Sequence, residues 1–192
     1  MITNDREYRA FDFEVNDQEM RVEGVPVVMG QDTLMFEMDG IKYYERIEPG
    51  ALEGADLTDV VLNVDHAGKP AAKTKNSTLT LETRDDGLYM SADLSRNATG
   101  RELYEDIKAG FFDKMSFAFI VDDEAYDKEN RTRIIRKIKR LFDVSAVTHP
   151  AYSQTSLIAR SWAEAEAEAE RKARELAEWR RKLIIKTKTG GI

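Results

Sequence analysis

Ser116 stands in the middle of FFDKMSFAFI, residues 111–120, one of the most apolar and aromatic runs in the chain. A hydroxyl there has two explanations. A buried serine can bond a nearby carbonyl, or a strand can hold a nucleophile on its outer face. Side chains alternate along a strand, so Met115, Phe117, Phe119 and Val121 share one face and Ser116, Ala118 and Ile120 the other. The bulky face can fill a core. Beside Ser116 stands only the small Ala118, which leaves room for a substrate backbone. A serine hydroxyl is a weak nucleophile near neutral pH; it needs a base to take its proton, and the base needs an orienting acid. His66, at the end of DVVLNVDH, and Asp143, in LFDVSAVTH, supply those types. In the second block Asp143, Ser145 and Val147 face one way, and Phe142, Val144 and Ala146 the other. Ser, His and Asp are common residues. Composition alone therefore leaves a structural serine, a surface histidine and a surface acid as competing readings.

The elements that must position these groups are mostly strands. YRAFDFEV, MRVEGVPVVMG, TLMFEM and IKYYERI alternate as half-buried strands do. EPGALEGADL predicts a short helix with Pro49 in its first turn. DVVLNVDH is a strand, HAGKPAAKTKNS a polar loop, and STLTLETRDDGLYMSADL a hairpin with a tight turn at Asp86-Gly87. NATGRELYEDIKAGFF is an amphipathic helix with Leu103 and Ile107 on one face and Gly110 as its stop. KMSFAFIV is a strand, and DDEAYDKENRTRIIRKIKRLFDVSAVTH carries another hairpin with DKEN as its turn, with Ile134 or Ile135 and Ile138 inward. The tail, SWAEAEAEAERKARELAEWRRKLIIK, is one long helix by propensity. Ser161 and Glu164 make a capping box. Glu168–Lys172, Glu170–Arg174 and Glu178–Lys182 make i,i+4 pairs, and Leu176, Trp179 and Leu183 a thin apolar stripe. The expected organisation is a mostly β domain with helices (α+β) over residues 1–157, its strands forming a barrel or sandwich, and a charged helical extension over 158–192.

Composition sets bounds. The chain has 192 residues, a formal net charge of −7, 42% hydrophobic and 34% charged residues, and no Cys. Disulfides and thiol chemistry are excluded. Its two histidines, His66 and His149, lie too far apart in sequence for a paired-His metal motif, and neither a metal nor a cofactor is expected. The acidic balance disfavours nucleic acid, which needs clustered Lys and Arg. The basic strip Arg131–Arg140 reads as an exposed strand. No apolar run approaches the length of about 20 residues that a membrane helix needs, and no signal peptide is visible. A cytosolic setting is expected.

The blocks VEGVPVV, YYERIEPGAL, DVVLNVDHAGKP, STLTLETRDDGLYMSADL, GRELYEDIKAGFFDKMSFAF and RLFDVSAVTHPAYSQTS together closely resemble the HK97-type prohead proteases of tailed bacteriophages. The resemblance covers about residues 20–158, with the blocks in the family's order. It implies an assemblin-like β-barrel wrapped by helices. It also implies a serine endopeptidase that cuts scaffold and capsid precursors, and itself, inside the immature shell in the host cytoplasm. Self-association is a further implied possibility. The family's histidine falls on His66 and its serine on Ser116. The third member falls on Asp143, which stands where the assemblins carry a His before Val. The rival for that role is His149, on the same strand face but about 20 Å along a straight strand. The oxyanion donor implied is the backbone N–H of Ala151, since Pro150 has none. Two other readings stand beside this one: a non-catalytic capsid-assembly factor acting through its charged helix, and a nucleic-acid-binding barrel using the Arg131–Arg140 strip.

Overall fold

The computed structural model describes residues 7–16, 19–38, 40–148, 168 and 171–181, with only the backbone described for 7–16 and 38. Ten strands come in order: β1 Glu7–Asn16, β2 Arg21–Val28, β3 Thr33–Met38, β4 Ile41–Ile47, β5 Val61–Val64, β6 Ala67–Lys73, β7 Leu79–Arg84, β8 Gly87–Asp93, β9 Lys114–Asp127 and β10 Thr132–Val147. Helix α1, Ala98–Lys108, lies between β8 and β9, and short 3-10 turns follow β6 and β8. The sheet runs β3-β4-β10-β9-β1-β2-β8-β7, with β5 branching from β10 and β6 pairing β5. The chain divides into two compact units, residues 1–155 and 156–192.

The mostly β, α+β class expected from the alternation is what forms. The expected barrel does not close among the described residues: the hydrogen-bonded path has two ends, β3 and β7. β10 is the spine. It runs antiparallel to β9 along its whole length, and on its other side it takes β4 in parallel at Thr132–Ile135 and then β5 in parallel at Asp143–Ala146.

The bulky face of β9 fills the core as its pattern requires. Met115, Phe117 and Phe119 are fully buried, with the Phe117 and Phe119 rings stacked at 4.9 Å. Ile135, Ile138, Leu141, Val144, Leu62, Leu88 and Leu103 meet them in one cluster. Of the two candidates left open on β10, Ile135 is the inward one, together with Ile138. Pro26, which cannot donate to a ladder, sits where the β2–β8 register shifts between Gly24 and Val27.

Three local expectations are corrected. Residues 50–54 form successive turns rather than a helix: Ala51, Glu53 and Ala55 donate to Glu48, Gly50 and Leu52, and Gly50 and Gly54 hold φ of 82° and 76°, outside the helical region. The polar loop after His66 is instead β6, whose Gly68, Lys69 and Pro70 read as loop because they lie in an irregular stretch. Between the pairs Leu62↔Ala72 and Val64↔Ala67, one residue of β5 faces four of β6. The β7–β8 turn centres on Asp85-Asp86, with Gly87 paired to Arg84. Gly87 is there for space: a Cβ would meet the Val27 carbonyl oxygen at 2.3 Å.

In the second unit, residues 171–181 are helical and exposed, including Leu176 and Trp179. Glu168 pairs with Arg171 and Lys172, as the i,i+4 spacing predicts for the latter. The Ser161–Glu164 capping box and the rest of the expected long helix lie outside the described residues.

Candidate active site

β9 and β10 bring Ser116 and Asp143 onto one face of the sheet. Directly paired residues share a face. Ser116 pairs Ser145 on β10, Ser145 pairs Asn63 on β5, and Ala118 pairs Asp143, which pairs Val61. Two rows result: Asn63–Ser145–Ser116, and beside it Val61–Asp143–Ala118. The pairing of Asp143 with Ala118 depends on an irregularity. Between Leu141↔Phe119 and Asp143↔Ala118 the register gains one residue at Phe142. A strand without that bulge would turn Asp143 to the core side, because a one-residue slip exchanges the faces.

His66 comes from the other side of β10. Val64 pairs Ala67, so Asp65-His66 is a two-residue hairpin loop, and both residues hold positive φ, 46° and 58°. That is the signature of a type I′ turn, whose usual occupants are Asn-Gly. The turn is latched to the end of β10: Asp65 N–H donates to the Ala146 carbonyl at 2.9 Å, and the Thr148 N–H donates to the Asp65 carboxylate at 3.3 Å.

From this turn the imidazole reaches the carboxylate. His66 Nδ1 lies 2.5 Å from Asp143 Oδ1. The same oxygen accepts the Ser145 hydroxyl at 2.9 Å. Asp143 and Ser145 are buried, and the His66 side chain is 16% exposed. An imidazole bonded to an acid through one nitrogen presents the other as a proton acceptor. Ser116 Oγ is buried and has no hydrogen-bond partner. The outer face was expected to be open at this serine; instead Ser116 and Ala118 are fully buried. Among the described residues no group of His, Asp and Glu is gathered as a metal site would be.

The fold thus joins His66 to Asp143 and sets both on the side of the sheet that carries Ser116. His149 and Ala151, the rival acid partner and the expected oxyanion donor, lie outside the described residues. Two neighbours were missed in the sequence: Asp65, which latches the turn, and Asn63, which lies in the row of Ser116. Ser145, the third, was placed on the face of Asp143 by period two but given no role.

The model of the Caudovirus prohead serine protease family matches residues 6–169. The chain belongs to that family. The match runs from β1 through every strand of the sheet and past the end of the first unit. Among solved structures, the capsid assembly protease of bacteriophage T4 is similar over 75% of this chain and 99% of its own, at 13% identity and a TM-score of 0.45. No curated protein matches the sequence. In this prohead protease family member four cations of the basic strip are paired with acids: Arg133 with Glu45 and Glu124, Arg136 with Asp123, Lys137 with Asp122 and Arg140 with Asp56.

Proposed function

We propose that this prohead protease is an endopeptidase that cleaves scaffold and capsid precursors inside the assembling shell, with Ser116 as nucleophile, His66 as general base and Asp143 as its orienting acid. One observation carries the proposal: the His66–Asp143 contact of 2.5 Å on the face of Ser116. With Nδ1 held by Asp143, Nε2 takes the proton as Ser116 Oγ bonds to the scissile carbonyl carbon. The proton then passes to the departing amine, and water hydrolyses the acyl ester by the same route in reverse. The Ala151 N–H is the proposed donor to the oxyanion. Residues 158–192 are an extension that carries the enzyme into the shell and is removed by self-cleavage.

A second reading, a non-catalytic assembly factor, is favoured by the complete burial of Ser116. Co-expression with a scaffold-bearing capsid precursor separates the two. Precursor and enzyme termini, read by mass spectrometry, should shift with the wild type and stay unprocessed with Ser116→Ala. Equal processing by both would reject the protease mechanism. Loss of incorporation on deleting residues 161–192, with Ser116→Ala indistinguishable from wild type, would support the assembly factor.

A further inference from the structure

Ser145 has no part in the proposed chemistry, yet it is fully buried, and its hydroxyl donates to the same Asp143 oxygen that holds His66. A buried hydroxyl costs free energy unless bonded, and an alanine or valine would pack a strand interior without that cost. The location of the bond is informative. Asp143 lies in the row of Val61 and Ala118, which offer its carboxylate no side-chain donor. Ser145 lies one row on, opposite Ser116. Its hydroxyl draws the carboxylate along β10 toward the row that contains Ser116, and the imidazole is held by the oxygen so drawn.

We propose that Ser145 is a positioning residue of this protease: it fixes the rotation of the Asp143 carboxylate so that His66 is presented at the row of Ser116. The inference rests on the triad proposed above. Because its proton is given to Asp143, Ser145 is not the nucleophile, although it faces Ser116 across the strand pair. Removing the hydroxyl leaves the residues of the triad intact and lets the carboxylate turn back toward Ala118 and Val61. Binding of a substrate is then unaffected, while proton transfer slows.

The test uses the full chain and a fluorophosphonate probe, which forms a P–O bond to the serine as the P–F bond breaks and fluoride leaves, the hydroxyl proton passing to the imidazole. Ser145→Ala should lower the limiting labelling rate by about tenfold to a hundredfold, the range expected for one hydrogen bond to a charged group. The probe's half-saturating concentration should stay within about twofold. The downfield proton NMR signal of the His66–Asp143 hydrogen bond should move or vanish in Ser145→Ala, and Ser145→Thr, which keeps the hydroxyl, should restore both readouts. An unchanged labelling rate in Ser145→Ala would overturn the proposal, as would an unmoved NMR signal. Failure of the triad itself looks different: a wild type that takes no label, or a Ser116→Ala variant labelled as fast as wild type, removes the basis of both proposals whatever Ser145 does.

Discussion

His66 adopts φ of 58° in a two-residue turn, and Asp65 before it 46°. Left-handed backbone costs a non-glycine residue about 1–3 kcal/mol, and such strain persists where surrounding contacts over-determine it. Here the ladder of β5 and β6, the Asp65 bonds to β10 and the Asp143 contact do so. Ser116→Ala and His66→Ala are each expected to lower precursor cleavage by about ten-thousandfold or more, since members of a triad act as a unit. His149→Ala should keep most activity; a loss equal to that of His66→Ala would move the third role to His149. Ser116, His66 and Asp143 stood out in the sequence as candidates because their types meet the needs of one reaction and sit in recognisable blocks, and the contact of His66 with Asp143 agrees with that choice. The turn was not legible, because Asp-His lacks the Asn-Gly signal of a type I′ hairpin.

At the scale of elements, α1 buttresses the hairpin that carries His66. Its N-cap, Asn97, accepts from Gly100 N–H at 2.6 Å and donates to the Ala71 carbonyl of β6 at 2.9 Å. Gly100 permits that approach: a Cβ would lie 2.5 Å from the Leu94 carbonyl oxygen and 3.1 Å from that of Ala71. Gly100→Ala must therefore displace the helix, and both Tm and cleavage should fall; an unchanged Tm would show that α1 has room to shift. The 3-10 turn before α1 supplies a pH-dependent term. The Ser95 hydroxyl, then the Arg96 guanidinium, hold the Asp93 carboxyl down at about 2 against an ordinary value of 3.8. A depressed carboxyl contributes stability above its unfolded pKa and loses it as pH falls through the folded value. The gap in urea midpoint between wild type and Asp93→Asn should be full at pH 5 and should close as the pH approaches about 2. A gap independent of pH would contradict the ion pair's role. The strands β1 to β4 were legible from alternation. β6 was not, since Gly, Lys and Pro in an irregular stretch look like loop, and the bulge at Phe142 leaves no mark in the pattern that it corrects.

For the whole molecule, the long spine β10 ties the His66 hairpin, the Ser116 strand and the core into one sheet. Phe117, fully buried and stacked on Phe119, neighbours Ser116 in the chain. Phe117→Ala should cost about 3–5 kcal/mol of stability in urea unfolding, and a cost below 1 kcal/mol would show a core that collapses around the gap. The α+β class followed from period and propensity. The branched sheet, unclosed among the described residues, did not, because long-range pairing is set by register and bulges that no local pattern records.

The most direct measurement asks which side chain a fluorophosphonate modifies in the full chain, and whether the imidazole at 66 is needed. Tandem mass spectrometry should find the adduct on Ser116, absent from Ser116→Ala and slowed by orders of magnitude in His66→Ala. An adduct on another residue, or labelling of Ser116 at the wild-type rate without His66, would contradict the proposed mechanism.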